Sequence, residues 1–388
     1  MHILKLSDVF FPRINGVSTS IQTFREALAE QGVRVTVVAP AYQNEPATDD
    51  VIRIAARRVP LDPEDRLMRQ AALKRLPEQL RHLSLDLIHV QTPFAAHYAG
   101  LGLARSLGVP CVATYHTHFE EYLFHYIPLL PRSMLRALAR RVARLQCDAL
   151  DAVVVPSQAT AETLREYGVS TPLHAIPTGL AESEFIRGDG QRFRTACRIS
   201  ADRKVALFVG RVAFEKNIGF LLDVAALARR QRPDLTLLIA GDGPALPSLR
   251  RKAAQMGLDD HVRFVGYLDR SSGLKDCYAA ADVFVFASLT ETQGLVLLEA
   301  MAAGVPVLAI PALGAAEIVS PQRGAVPAER EAPGFAEQLV QLLDQPATLA
   351  RLAEEAVGFA REWDAAKQAT KLTALYRSLI EQPARQPA

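Results

Sequence analysis

Two glutamates, Glu291 and Glu299, stand with seven residues between them in LTETQGLVLLEAMAAGVPVLA, Leu289 to Ala309. Gly294 lies between the acids, and Gly304-Val305-Pro306 follows the second. Glu299 falls in a helical pattern of small and apolar residues, where a carboxylate is costly unless it is hydrogen-bonded. A pair of sugar hydroxyls would satisfy it. Glu291 falls in the preceding loop, beside a helix start at about Thr292 to Leu295. The N–H groups and dipole of such a start favour an anion, for example a phosphate. Capping of that helix by Glu291 is the competing explanation.

In GRVAFEKN, Lys216 stands five residues beyond Arg211, just after an apolar run. A guanidinium fork and a mobile ammonium together suit a diphosphate. A local charge pair, Glu215 with Lys216, is the alternative. AGDGP, Ala240 to Pro244, puts Gly241 in a tight turn after another apolar run, and its glycines serve a turn as well as they serve a ligand. Neither GxGxxG nor GxxxxGK[ST] occurs, so the common nicotinamide and ATP sites have no support. Nearer the start, FFPRINGVSTS places Gly16 before a helix, where backbone can approach an anion closely. YHTHFEEYLFHY, Tyr115 to Tyr126, is rich in histidine, tyrosine and acids. His116 directly follows a strand, and a structural histidine is its alternative. His118 and Tyr122 are candidates for contact with an acceptor sugar or lipid. The spacing is not HExxH, so a metal site is not expected.

PRSMLRALARRVARLQ, Pro131 to Gln146, has five arginines and no acid. Arg132, Arg136, Arg140 and Arg144 step by four, while Met134, Leu135, Leu138, Val142 and Leu145 fall largely on the other side. Such a helix suits an anionic bilayer surface; a solvated face over a core explains it equally. No nucleic-acid recognition motif is present, and nucleic acid is not expected as a partner.

These residues need elements to hold them. His2 to Leu6 predicts a strand, Ser18 to Gln31 a helix, and Val33 to Pro40 the next strand. DLIHVQTP, VPCVATYHT and DAVVVPS extend the series. After a junction at Ile176 to Gly190 the pattern restarts, with strands in KVALFVG, LTLLIAGDGP, VRFVGY, DVFVFAS and GVPVLAI. Unalternated valine-rich runs with helices between them predict parallel sheets buried on both faces. Two successive α/β domains follow, at 1–180 and 181–360, with helix and a frayed tail over 361–388.

Composition agrees. The 388 residues are 49% hydrophobic, enough for two cores. A net charge of +2 neither demands nor excludes a polyanionic partner. The four cysteines are far apart and form no CxxC, as expected of free thiols in a reducing compartment. The start MHILKLSDVFF turns polar at once, and no run approaches the roughly 20 apolar residues of a membrane span. A cytoplasmic protein, able to sit peripherally on the inner face of the cell membrane, is expected.

Taken together, FFPRINGV, TYHTHFEEYLFHY, GRVAFEKN, GDGP and ETQGLVLLEAMAAGVPV resemble the retaining glycosyltransferases of family 4. The resemblance covers nearly the whole chain. It is nearest the branch that glucosylates diacylglycerol, mannosylates phosphatidylinositol or makes sulfolipid. It implies the GT-B fold, two Rossmann-like domains facing across a central cleft, and transfer of a hexose from a nucleotide sugar such as UDP-glucose. The first domain would bind the acceptor, a membrane lipid such as diacylglycerol, and the second the donor. The C-terminal helix would pack back on the first domain. No cofactor is implied, since the donor is a substrate. The resemblance places Gly16 near the donor phosphate and His116 near the transferred sugar. Arg211 and Lys216 hold the diphosphate, Glu291 the sugar hydroxyls and Glu299 the ribose. Gly294, Leu295 and the Gly241 turn lie around the phosphates. One departure stands out: family members often carry a double glycine before PEIV, and here the run is ALGAAEIV, Ala312 to Val319. A GDP-mannose donor, a soluble acceptor, a nucleotide-sugar epimerase and a sugar-binding scaffold without turnover are the alternatives.

Overall fold

The computed structural model describes residues 1–42, 48, 50–59, 62–116, 132–270 and 272–382. It divides into two units, Met1–Gly179 with Ala365–Ala388, and Leu180–Asp364.

The first unit holds strands β1 (His2–Leu6), β2 (Arg34–Pro40), β3 (Val51–Ile54), β4 (Ala56–Val59), β5 (Asp62–Met68), β6 (Leu87–Val90), β7 (Cys111–Thr114), β8 (Ala152–Val155) and β9 (Leu173–Ala175). Seven of them form one sheet in the order β3-β2-β1-β6-β7-β8-β9, while β4 and β5 pair as an antiparallel ribbon. Every described pair in the large sheet is parallel. Successive side chains alternate between two buried faces. Leu4, Leu6, Ile88, Val90, Val153 and Val155 belong to one core cluster. Ile3, Val35, Val37, Val112 and Val154 belong to the other, with Phe24 of the helix Gly16–Glu30 and Leu372 and Tyr376 of the helix Ala365–Ile380.

Lys5 interrupts that second face. It lies opposite His89 in the β1–β6 ladder and is fully buried. Its ammonium has no hydrogen-bond partner among the described residues and sits over the Phe24 ring, 5.2 Å from the centroid. Burial pushes its pKa down to about 7. His89 is held between Tyr376 and Thr114, at 2.6 and 2.7 Å.

The second unit holds β10 (Lys204–Val209), β11 (Leu235–Ala240), β12 (Val262–Gly266), β13 (Val283–Phe286), β14 (Val307–Ala309) and β15 (Ala325–Pro327). They form one sheet, β12-β11-β10-β13-β14-β15, again parallel at every described pair. Helices Ile218–Ala228, Leu246–Gln255, Leu295–Ala302, Ala332–Leu343 and Pro346–Ala360 accompany it. Both units are therefore the parallel α/β type that the strand-helix alternation predicts. The chain order reverses between β1 and β6 in one sheet and between β10 and β13 in the other. Ligands of open parallel sheets bind beyond the carboxyl ends of the strands at such reversals.

Candidate functional site

In the second unit the residues after β10, β11 and β13 converge beyond the strand ends. Gly210 to Asn217 leaves β10 and is laced to its neighbours by backbone. The Val212 N–H donates to the Asp242 carbonyl at 2.8 Å, and the Ala245 N–H donates to the Val212 carbonyl at 3.0 Å. Gly241, at φ 137°, makes this approach possible, since a Cβ there would lie 1.9 Å from the Gly210 carbonyl oxygen. Close packing of two loops thus accounts for this glycine.

The loop after β13 is tied to the same place. The Asn217 side-chain amide donates to the Ala287 carbonyl at 3.2 Å, and the Ser288 hydroxyl donates to the Glu215 carbonyl at 3.3 Å. These ties bring Lys216 and Glu291 together across the reversal point: Lys216 Nζ donates to Glu291 Oε2 at 2.6 Å. Their side chains remain 21% and 19% exposed, so the pair is open to a ligand. Lys216 thus reaches the acid 75 positions along the chain. Glu291 does not cap the next helix. That helix, Leu295–Ala302, starts at Gly294, which stands at φ 91° with no side-chain cap. A left-handed start of this kind suits glycine and leaves the first N–H groups of the helix without a capping side chain. Arg211 follows directly on β10 and Gly210, in the same loop that carries Lys216.

Glu299 meets the expected need for hydrogen bonds from within the protein. Its side chain is 3% exposed, and the protein itself supplies its partners. Oε1 accepts from Arg270 Nη2 at 2.5 Å, and Oε2 accepts from the Tyr278 hydroxyl at 3.0 Å. Arg270 also lies 3.6 Å from Glu184 Oε1. The protein thus supplies one partner to each oxygen of the buried carboxylate. Sequence reasoning passed over Arg270, Tyr278 and Glu184; an arginine shortly after a strand, in VGYLDR, was the available signal.

In the first unit, Gly16 opens the helix Gly16–Glu30, which Asn15 caps through the Ser18 N–H at 2.9 Å. A Cβ on Gly16 would meet nothing within 4 Å, so neither packing nor a positive φ demands glycine there. His116 leaves β7, and its Nε2 lies 3.2 Å from Gln91 Oε1. Burial, reinforced by Lys5, pushes its pKa down to about 3, so the ring is neutral at physiological pH. Asp8 was not anticipated. Its carboxylate accepts from the Thr92 hydroxyl at 2.7 Å and from the Ala96 N–H at 3.2 Å, at the start of the helix Ala95–Leu107. Burial raises its pKa to about 6.

His118 and Tyr122 lie outside the described residues, as does the side chain of Arg132. The rest of the arginine helix, Arg132–Asp148, corrects the sequence picture. Leu135, Ala139, Ala143 and Cys147 form its buried stripe, at 1–3% exposure. Met134, Leu138 and Leu145 are exposed instead, at 59%, 48% and 62%. Spacings of four, four and four carry the inward stripe from Leu135 through three small residues, and Met134, Leu138 and Leu145 fall beside Arg141 on the outer face. Of the arginines, Arg140 stacks over Tyr167 at 5.2 Å and Arg144 pairs with Asp148 at 3.5 Å, while Arg136 is exposed. Phe94 and Tyr98 are also exposed, and Gln146 joins them to the helix by donating to Pro93 O and Tyr98 Oη. Among the described residues no helix is long and apolar enough to cross a membrane, and no group of three or more His, Cys, Asp or Glu comes together.

Two parallel α/β units of this order are the GT-B fold of glycosyltransferases. The structure of Anabaena HepE in complex with UDP and glucose superposes with a TM-score of 0.79 at 19% identity, over 98% of this chain and 100% of that one. In sequence, residues 14–184 match Glycosyltransferase Family 4, and residues 190–358 match Glycosyl transferases group 1. The chain belongs to family 4 of the glycosyltransferases. It is 33% identical over 320 residues to the alpha-monoglucosyldiacylglycerol synthase of Streptococcus pneumoniae, covering 80% of this chain and 71% of that one. It is 31% identical to the GDP-mannose-dependent alpha-mannosyltransferase of Mycobacterium tuberculosis, over 82% and 81% of the two chains.

Proposed function

We propose that this glycosyltransferase moves a hexose, with retention, from a nucleotide sugar such as UDP-glucose to a membrane lipid of the diacylglycerol kind. The observation that carries the donor half is the Lys216–Glu291 pair, open to a ligand at the β10–β13 reversal beside Arg211 and the uncapped helix start at Gly294. Cations and N–H groups suit a diphosphate, and the carboxylate suits sugar hydroxyls. Glu299, deeper in the same unit, holds the ribose diol. His116 serves the transferred sugar as a neutral hydrogen-bonding group, and Gly16 lets backbone approach the donor phosphate.

The chemistry follows from charge. As the bond from the anomeric carbon to the phosphate oxygen breaks, negative charge grows on the diphosphate. Arg211, Lys216 and the N–H groups at Gly294 and Leu295 stabilise it with groups the chain already carries. The acceptor hydroxyl attacks on the face the phosphate leaves, and its proton passes to the departing phosphate oxygen. Lys216 must exchange part of its contact with Glu291 for phosphate when the donor binds, freeing the carboxylate for the sugar.

The lipid half rests on the similarity to the monoglucosyldiacylglycerol synthase and on the outer face of the helix Arg132–Asp148. Exposed Met134, Leu138 and Leu145 beside Arg141, with Arg136, Arg140 and Arg144 elsewhere on the same exposed helix, suit shallow insertion into an anionic bilayer. The chain would then work as a peripheral protein on the inner membrane face. The similarity to a mannosyltransferase keeps GDP-mannose as the second donor. The test is a donor panel, UDP-glucose and GDP-mannose included, with and without anionic vesicles containing diacylglycerol. A glycosylated diacylglycerol from one donor is the expected result. Transfer to soluble acceptors alone, with vesicles inert, would contradict the lipid assignment.

A further inference from the structure

Glu299 is fixed by elements other than its own. Its helix is Leu295–Ala302, whereas Arg270 comes from the loop after β12 and Tyr278 from the helix Gly273–Ala279. The guanidinium contacts one carboxylate oxygen at 2.5 Å and the phenol contacts the other at 3.0 Å. Arg270 is a quarter exposed, and Tyr278 is buried at 3%. Near by, burial and the charge of Glu299 raise the pKa of Glu184, whose carboxyl also faces Arg270. Arg270 therefore answers two carboxylates at once. Removing it would take away the guanidinium that holds one Glu299 oxygen and leave that buried carboxylate close to Glu184, free to reorient. With it in place, each Glu299 oxygen has one partner and keeps one lone pair for another donor.

Resting on the ribose role proposed above for Glu299, we infer that Arg270, assisted by Tyr278, is the positioning residue that gives the donor site its preference for an intact ribose. It keeps Glu299 in one orientation, with the remaining lone pairs turned to accept the two ribose hydroxyls. A site built to accept from a hydroxyl rejects the analogue that lacks it, because a buried acceptor is then left unfilled. That rejection depends on the acceptor being held still. Arg270 acts through Glu299, and no contact between Arg270 and the nucleotide is required.

The experiment is a calorimetric titration of wild type, Arg270→Gln, Arg270→Lys, Tyr278→Phe and Glu299→Gln with UDP and GDP, each against its 3′-deoxy analogue. Wild type should prefer the ribonucleotide. Arg270→Gln should shrink that preference by about tenfold, Tyr278→Phe by about threefold, and Arg270→Lys should retain part of it. General loosening of the unit would weaken both members of a pair equally and leave the ratio alone. If folded Arg270→Gln and Tyr278→Phe keep the wild-type ratio while Glu299→Gln loses it, the inference is overturned and the ribose role stands. If Glu299→Gln keeps the ratio, or wild type shows none, the ribose role itself fails and takes the inference with it. Should Arg270→Gln not fold, Tyr278→Phe decides, since it deletes one hydroxyl from a buried ring.

Discussion

Two buried charges in this chain meet opposite fates. Glu299 is paired on both oxygens, whereas the Lys5 ammonium has an aromatic face and no hydrogen-bond partner among the described residues. Burial alone pushes the Lys5 pKa from 10.5 to about 7. The unfolded chain therefore takes up a proton that the folded chain refuses between pH 10.5 and about 7. Stability falls as pH drops through that window and the loss is complete below it. Lys5→Met should stabilise the protein by at least about 1 kcal/mol at pH 7, with the gain fading toward pH 10. Urea unfolding of both proteins across that range checks this; an equal difference at both ends would contradict it. At this scale the sequence was partly legible. Arg211, Lys216, Glu291 and Glu299 stand out because their types and spacing fit anion and hydroxyl chemistry. Arg270 and Tyr278 do not, because their meaning comes from a side chain about 20 to 30 positions away that only the fold brings near.

Strand ends and helix starts set the geometry. The strands opening each unit, the GDGP turn and the helix after Gly294 were legible because valine-rich runs and glycine stops mark them. The strands β9 (Leu173–Ala175) and β15 (Ala325–Pro327) were not, because neither sits in a valine-rich run like the one that marks β14, equally short. The arginine helix was legible as a helix but not in its phase. Its inward stripe is Leu135 followed by the small residues Ala139, Ala143 and Cys147, which hydrophobicity alone underrates. The departure from the double glycine also has a visible cost here. Leu313, half-buried, stands at φ 45° and ψ −128°, a region natural to glycine, while the Gly314 N–H that follows donates to the Glu291 carbonyl at 2.9 Å. Leu313→Gly should relieve strain of about 1 kcal/mol and raise the melting temperature by a few degrees. A lower melting temperature in a folded variant would show that the leucine side chain contributes more than its backbone costs.

At the scale of the whole chain, duplication of the parallel α/β pattern was the plainest message in the sequence, since strand-loop-helix recurs from Lys204 as it begins at His2. The last helix, Ala365–Ile380, belongs to the first unit, where Tyr376 bonds His89. That pairing joins residues 287 positions apart and has no local signature. The membership in glycosyltransferase family 4 fixes the class of chemistry, and the account stands on the grip that the second unit offers a nucleotide diphosphate. Its most direct test is calorimetric titration of UDP and GDP into wild type, Lys216→Ala and Glu291→Ala. Wild type should bind one nucleotide, and Lys216→Ala should weaken it at least about tenfold, or roughly 1.4 kcal/mol. Glu291→Ala, which removes the proposed sugar contact and frees the lysine, should leave that affinity equal or higher. Nucleotide binding unchanged in Lys216→Ala, or absent from wild type, would contradict the account.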